Sequence, residues 1–437
     1  MAQNPLNLSR INCFFLSSCL RALTLQMLAV PPSLAAVDLT PGTADDFPTL
    51  QIRGLLDLRY LHPDATASWV TGGLGKLSYD NGHSGSNIFT LSQAALVMQT
   101  QLAWSWSGNL TLKYSDRQNI PVDISEGLLL YKPVSTSEWR FSGRLGAFIP
   151  PISMENSGIG WTSPYTLSSS AINSWVGEEL KVFGGEGHMS YHLPKGDSIG
   201  LFAAGFGNND TAGVLLAWRG WSLDNYTATL HDSFALPTRT GLLSLFPKQS
   251  VTTQPFVEVD DRPGFYTGFS IERPELAKFR AMYYDNRGNP AVVRNGQYAW
   301  HTRFGSLGLK MELPWESELI AQGMLGRTQM GNQIAGLFAV DTLFWSESLL
   351  LSKKFGAHRL SFRFDNFGTS QHDYLPQDPT NEYGYALTCN YNITLFAHHQ
   401  FNFEFSNIAS NRASRLQIEQ ATQQNELLWQ VAYRLFF

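Results

Sequence analysis

Charged side chains are scarce in this sequence. Lysine, arginine, aspartate and glutamate make up 15% of its 437 residues, compared with roughly 25% in an average soluble protein. The chain is nevertheless not hydrophobic, since its mean hydropathy is -0.15 although 13% of its residues are aromatic. This composition argues against a helical membrane protein, and the 43% of apolar residues argue against a disordered chain.

Long apolar runs and cysteines are also missing. After residue 36 no segment approaches the 18 consecutive apolar residues that indicate a transmembrane helix. Of the three cysteines, Cys13 and Cys19 precede residue 36, which leaves Cys389 alone. A single cysteine can form neither an internal disulfide nor a cysteine-based zinc site. No HExxH or Cys-His spacing is present either, and we expect no metal site and no cofactor.

The first 36 residues have the pattern of an export signal. Arg10 precedes an apolar stretch at 11–30, which is interrupted by Arg21, and small residues at 33–36 offer a cleavage site. Neither half of the apolar stretch is long enough to cross a bilayer as a helix. We therefore predict a signal peptide at 1–36.

Apolar and polar residues alternate at period two along the whole mature chain, residues 37–437. In the last strand Glu426, Gln430 and Arg434 lie opposite the apolar face. The apolar residues of that strand are Leu427, Trp429, Val431, Tyr433, Leu435 and Phe437. The pattern predicts strands with one apolar and one polar face, which a soluble sandwich would also have.

Three further features favour a barrel that crosses a membrane. Aromatic residues lie at or near strand ends, as in the girdles at a membrane interface. These residues are Tyr60, Trp104, Trp106, Trp139, Tyr383 and Trp429. The opposite faces carry charged residues and glutamines within strands, which a dry core would not tolerate unpaired. Short and long connections alternate, which is typical of an outer-membrane barrel with short periplasmic turns.

The sequence therefore predicts an all-β fold, namely a transmembrane antiparallel up-and-down β-barrel. Counting strands by the rhythm of the alternation gives 18. A count of 16 is the alternative, because the strand at Ile124 and the hairpin at Ala212–Asn225 are weak. A barrel of this size leaves a water-filled lumen.

Three stretches give the chain a resemblance to Gram-negative outer-membrane porins, in particular the superfamily of phosphate-selective porins. They are residues 140–155, residues 360–368 and the C-terminal strand that ends in Phe437. The resemblance implies location in the cell outer membrane, contact with its lipid and assembly as a homotrimer. It also implies that the barrel-assembly machinery recognises Phe437.

The long connection at 150–175 lies where porins commonly fold a loop inward to narrow the pore. Its candidate constriction residues are Glu155, Trp161 and Tyr165, and it holds no lysine or arginine. A phosphate-selective pore would be expected to offer cations at its constriction. We therefore do not expect phosphate specificity.

Strand parity predicts a net basic lumen wall. The candidate wall cations are Arg53, Arg59, Lys113, Arg117, Arg140, Arg144, Arg219, Arg280, Arg303, Arg359, Arg363 and Arg434. The candidate wall acids are Asp57, Glu318, Asp365, Glu382, Glu404 and Glu426. A cationic wall lowers the barrier for anionic solutes. Alternatively, these arginines pair with nearby acids and give no useful selectivity.

These observations predict an outer-membrane porin for passive diffusion of small hydrophilic solutes, with a mild preference for anions. The alternative is a surface scaffold or adhesin whose lumen does not conduct. No spacing of serine, histidine and acid residues indicates an enzyme. Nucleic-acid binding is not expected, because the basic residues face a lumen and form no exposed patch.

Overall fold

A computed structural model of the chain describes residues 47–65, 67–80, 87–237 and 242–437. The predicted signal peptide at 1–36 lies outside these residues.

Sixteen antiparallel strands form a closed barrel in which each strand pairs with its neighbours in sequence and the last pairs with the first. They are β1 (Thr49–Asp64), β2 (Ile88–Ala103), β3 (Trp106–Ser115), β4 (Asp123–Tyr131), β5 (Trp139–Phe148), β6 (Val182–His192), β7 (Ser198–Gly207), β8 (Gly264–Arg273), β9 (Ala277–Asp285), β10 (His301–Leu313), β11 (Ser317–Met330), β12 (Val340–Phe355), β13 (His358–Gln371), β14 (Glu382–Leu395), β15 (His399–Arg412) and β16 (Gln423–Phe436). The predicted all-β antiparallel barrel is confirmed.

The favoured count of 18 strands is wrong, and the alternative of 16 is right. The predicted hairpin at Ala212–Asn225 is not a pair of strands, because it contains a short helix, Val214–Trp218, whose residues are all buried. A short apolar run fits a buried helix as well as a buried strand, so periodicity could not separate the two. The weak strand at Ile124 does exist, as part of β4.

Short and long connections alternate around the barrel as predicted. The edge of the barrel that carries the short turns and both ends of the strand sequence is called the turn edge, and the opposite edge is the loop edge. The connections at the loop edge are L1 (65–87), L2 (116–122), L3 (149–181), L4 (208–263), L5 (286–300), L6 (331–339), L7 (372–381) and L8 (413–422).

Other elements are short and lie within these loops. The helices are α1 (Ala171–Glu179) in L3, and α2 (Val214–Trp218) and α3 (Leu242–Leu245) in L4, with 3-10 turns at Trp69–Thr71 and Ala413–Ile418. Two-residue strands pair Phe234–Ala235 with Thr252–Thr253, and Val293–Arg294 with Gln297–Tyr298. Among the described residues no helix is long and apolar enough to cross a membrane.

The outer face of the barrel is apolar and aromatic. Its exposed side chains include Trp104, Trp106 and Trp139 near the turn edge, and Tyr60 and Tyr383 near the loop edge. Large exposed apolar side chains between two aromatic rims form the band that a bilayer covers.

The largest buried apolar cluster lies inside the barrel, where L1, L3 and L4 enter from the loop edge. The Trp175 ring of α1 packs against Phe304 of β10 and Phe344 of β12, with ring centroids 5.5 and 5.2 Å apart. Trp221 of L4 joins the same cluster, 6.1 Å from Trp175. The lumen near the loop edge is therefore filled by protein.

Candidate functional site: the barrel lumen

Strand alternation directs nine of the predicted wall cations into the barrel. They are Arg53, Arg59, Lys113, Arg140, Arg144, Arg280, Arg359, Arg363 and Arg434. The predicted wall acids also point inward, and they are Asp57, Glu318, Asp365, Glu382, Glu404 and Glu426. Two other predicted cations lie in loops, Arg117 in L2 and Arg219 in L4.

The prediction that Arg303 lines the lumen is wrong. Its neighbours on β10, Thr302 and Phe304, both face inward. The Thr302 hydroxyl donates to the Ala212 carbonyl of L4, and Phe304 packs against Trp175. Arg303 therefore points out of the barrel. The inner wall is aromatic at this height, so Phe304 faces inward and the neighbouring Arg303 faces outward.

Three inward arginines bind the backbone of L3. Arg434 Nη1 lies 3.1 Å from the Ser163 carbonyl oxygen, and Arg59 Nη2 lies 3.5 Å from that of Leu167. Arg363 donates to the carbonyls of Ser168 and Ser169, at 2.6 and 2.9 Å. These guanidinium groups are buried, so they serve the loop and are not exposed to a passing solute.

A buried carboxylate of the wall also binds L3, by accepting hydrogen bonds from its backbone N–H groups. Glu404 accepts from Leu167 and Ser168, at 2.5 and 3.0 Å.

The three arginines that bind L3 also pair with wall acids. Asp57 lies 2.7 Å from Arg59 and 3.0 Å from Arg434, and Asp365 lies 2.8 Å from Arg363. The alternative expectation, that wall arginines pair with nearby acids, thus holds for Arg59, Arg363 and Arg434.

The predicted constriction residues of 150–175 all lie inside the barrel. The Tyr165 hydroxyl donates to Glu318 at 2.5 Å, and Trp161 packs against the lumen cluster. Glu155 stays within the loop, where it accepts from the Ser170 N–H at 2.7 Å and from the Asn173 side chain at 2.8 Å. L3 folds inward because buried wall groups satisfy its polar backbone.

L4 is tied to L3 through two buried carboxylates of α1. Glu178 pairs with Arg219 at 2.6 Å, and Glu179 accepts from the backbone N–H groups of Gly213 and Leu215, at 3.2 and 2.9 Å. Burial raises the pKa of Glu178 to about 8 and that of Glu179 to about 7. Both groups lie inside the barrel and outside its strands.

The position of Glu179 predicts that stability falls with rising pH. The pKa of this acid is raised from 4.5 to about 7 on folding, so its stabilising contribution is complete below pH 4.5 and is lost as the pH rises through 7. The loss is about 3 kcal/mol. Urea titrations from pH 4.5 to 8 should therefore show the free energy of unfolding of the wild type falling relative to Glu179→Gln.

The control for this titration is Glu419→Gln, which changes an exposed residue of L8. It should keep the pH dependence of the wild type. A constant difference between wild type and Glu179→Gln across this pH range would contradict the assignment.

L1 is held by buried charges of β14, β16 and L8. Lys76 pairs with Glu382, and the Lys76 N–H donates to Glu426. Arg415 donates to the Leu74 carbonyl at 3.1 Å. Burial lowers the pKa of Lys76 to about 7. Glu382 and Glu426 are among the predicted wall acids, but Lys76 and Arg415 are not predicted, because the sequence of L1 does not indicate that this loop folds back into the barrel.

Near the turn edge the lumen stays open to solvent, and we call this part the vestibule. Its inward cations are Arg53, Arg140, Arg144, Lys278, Arg280, Lys310, Lys354 and Arg359, and its inward acids are Glu186, Glu272, Glu312 and Glu318. All four acids form ion pairs with these cations. Within the described residues Arg53, Arg140, Arg280 and Lys354 form no ion pair with a carboxylate.

One side of the vestibule is a cavity of about 420 Å³ between L3 and the turn after β8, and residues Ser153, Lys278, Arg280 and Lys310 contribute to its lining. Arg280 donates to the Pro151 carbonyl at 2.5 Å. Above it, Tyr284 stacks on Phe304 with centroids 4.8 Å apart. The charged, solvent-filled vestibule thus ends at a group of packed aromatic side chains.

Comparison with known proteins supports the fold. No protein-family model and no curated protein sequence matches this chain. The crystal structure of the outer membrane channel DcaP of Acinetobacter baumannii is similar, with a TM-score of 0.56, 10% identity, and coverage of 89% of this chain and 97% of that one. A loop L8 deletion mutant of OmpT, an outer membrane protein of Vibrio cholerae, gives 0.51 and 7%, covering 90% and 100%.

At these identities the likeness establishes the architecture. A closed antiparallel barrel with an apolar outer band and aromatic rims is the structure of proteins that cross the bacterial outer membrane. The protein is therefore located in the outer membrane of a Gram-negative bacterium. Membership of the phosphate-selective superfamily stays a prediction, as do the homotrimer and the recognition of Phe437 by the barrel-assembly machinery.

Proposed function

We propose that this chain is an outer-membrane channel for passive diffusion of small hydrophilic solutes, with a preference for anions. The observation that carries the proposal is the excess of cations in the vestibule. Its four acids are all paired, whereas Arg53, Arg140, Arg280 and Lys354 lack a carboxylate partner within the described residues.

The unpaired cations act on any ion that enters from the turn edge. A unit charge 4 Å from a passing ion contributes about 1 kcal/mol in water, which changes the local ion concentration about fivefold. Arg53 and Arg140 are exposed, so they are screened by solvent and each contributes less than this. Because L1, L3 and L4 occupy the lumen above the vestibule, we propose a narrow pathway with a small conductance.

Charge reversal in the vestibule should shift ion selectivity toward cations. We expect Arg53→Glu/Arg140→Glu to move the reversal potential of the channel in a planar bilayer, under a KCl gradient, toward potassium preference. The permeability ratio should change by about fivefold. The variant should fold normally, because both side chains are exposed.

Arg303→Glu is the matched control, because Arg303 carries the same charge on the outside of the barrel. It should leave the reversal potential unchanged. A shift with Arg303→Glu as large as that with the vestibule variant, or no shift with either, would contradict the proposal.

A second candidate function is a surface scaffold or adhesin with a non-conducting lumen. Protein fills the half of the lumen near the loop edge, where Trp175, Trp221 and Trp218 are wholly buried. This filling favours the scaffold. A protein that is folded in the bilayer but carries no current at any voltage would support the scaffold and exclude the channel. Stable conductance would exclude the scaffold.

A further inference from the structure

Glu155 of L3 carries a carboxylate that is buried and not neutralised by an ion pair among the described residues. The residue is 1% exposed. Its Oε1 atom accepts from the Ser170 N–H and from the Asn173 side chain. Its Oε2 atom is buried and has no hydrogen-bond partner among the described residues. Buried charges are normally paired or coordinate a metal, because a carboxylate loses its hydration on burial.

Two buried carboxamide oxygens beside Glu155 also lack a donor. Asn156 follows Glu155 in the chain, and its amide nitrogen donates to the Trp161 carbonyl and the Ser169 hydroxyl, at 3.0 and 3.1 Å. The amide nitrogen of Asn173 donates to Glu155 at 2.8 Å. The Oδ1 atoms of both asparagines are buried and have no hydrogen-bond partner among the described residues. One hydrogen-bonded part of L3 therefore holds three oxygen atoms that are acceptors without donors.

Neither a proton nor one water molecule would satisfy these oxygens. A protonated Glu155 needs an acceptor within hydrogen-bond distance of Oε2, and the described residues place none there. A water molecule donates only about two hydrogen bonds, so it leaves one oxygen unsatisfied and the charge in place. Arg363 acts on Glu155 from beyond ion-pair distance, but its guanidinium is bound to Asp365 at 2.8 Å. A small cation would satisfy the oxygens and the charge together.

We propose that Glu155, Asn156 and Asn173 bind a calcium ion within L3. Calcium takes roughly six to eight oxygen ligands from carboxylates, asparagine carbonyls and water, in a flexible geometry. Magnesium demands a stricter geometry and gives up its water reluctantly, and softer metals prefer nitrogen and sulfur ligands. The ion would neutralise Glu155 and join residues 155–156 to α1, which carries Asn173. This site contains neither cysteine nor histidine, so no metal-binding spacing reveals it in the sequence.

The first test measures calcium binding to the refolded protein in detergent, after treatment with EDTA. Terbium, which replaces calcium and luminesces when it is excited through nearby tryptophans, is the probe that calcium displaces. We expect a calcium site in the wild type, and Glu155→Gln should weaken calcium binding at least about tenfold, because it removes the charged ligand. The variant should fold, since glutamine keeps an oxygen that can accept from Ser170 and Asn173.

The matched control is Glu258→Gln in L4. Glu258 belongs to another cluster of oxygen ligands, in which carboxylate oxygens of Asp210, Glu258 and Asp260 lie within 4.8 Å of one another. This variant should bind calcium as the wild type does. A wild type that binds no calcium, or a Glu155→Gln variant that binds it as tightly as the wild type, would overturn the proposal.

The second test compares thermal unfolding of the same proteins with calcium and with magnesium. A ligand that binds only the folded state stabilises it. Calcium should therefore raise the melting temperature of the wild type and of Glu258→Gln by a few degrees, and that of Glu155→Gln much less. An equal rise in all three proteins, or an equal effect of magnesium, would count against a calcium site at Glu155. Neither test involves conductance, so both are independent of the proposed channel.

Discussion

Replacing residues 156–169 by a short Gly/Ser linker should convert a narrow pathway into a wider pore. These residues include the part of L3 whose carbonyls accept from Arg59, Arg363 and Arg434. Once the segment is gone, the three guanidinium groups lose their loop partners and face water. We expect a large rise in single-channel conductance in a planar bilayer.

Selectivity should change little in the same experiment. Arg59 and Arg434 stay paired with Asp57, and Arg363 stays paired with Asp365. The Glu404 carboxylate also loses its L3 partners, so the exposed charges balance and chloride preference should change by less than the roughly fivefold effect of one unpaired cation at 4 Å. The control is the same linker in place of 332–337 in L6, an exposed segment at the barrel rim. Equal conductance in the two variants would mean that L3 does not limit flow.

Removing Arg363 alone should cost more stability than removing it together with Asp365. The Arg363 guanidinium is buried and lies 2.8 Å from the Asp365 carboxylate. Arg363→Leu leaves that carboxylate buried without its partner, which typically costs 3–5 kcal/mol. Arg363→Leu/Asp365→Leu removes both charges, so urea unfolding should show a smaller loss, although Ser168 and Ser169 lose their donor in both variants.

Arg140→Leu serves as the control for that comparison. Arg140 is exposed in the vestibule, and exposed substitutions usually change stability by about 0.5 kcal/mol or less. A double variant that is less stable than Arg363→Leu would show that Asp365 stabilises the barrel by itself, through its bond to the Ala171 N–H at 3.2 Å.

Alternation predicted the barrel because each strand carries its own evidence for two unlike faces. It failed on β10, where the inner face carries an aromatic residue and the outer face a charged one. On β10, Phe304 faces inward because Trp175 and Tyr284 fill the lumen beside it, and Arg303 was consequently assigned to the wrong side. Which face of a strand points inward depends on the side chains that fill the lumen, and these come from loops distant in sequence.

The same limit applies to the site. The inward direction of Arg59 and Arg363 follows from the strand pattern, but their partners do not. Each binds a carbonyl of L3 more than 100 residues away in sequence. A local pattern cannot distinguish an arginine that faces water from one that holds a loop. Strand parity predicted five of the eight vestibule cations, because it needs only the direction of a side chain and no distant partner. They are Arg53, Arg140, Arg144, Arg280 and Arg359.

The anchors of the lumen also constrain the order in which the chain assembles. Arg434 of the last strand reaches Asp57 of the first at 3.0 Å, 377 positions away. Glu426 and Glu382, also from the last strands, hold L1. Structures built from such distant contacts fold slowly, because the loss of chain entropy comes before the stabilising contacts. The contacts inside the lumen therefore form only when the last strand closes the barrel. A barrel that lacks this strand should be unstable and should have an unfilled lumen.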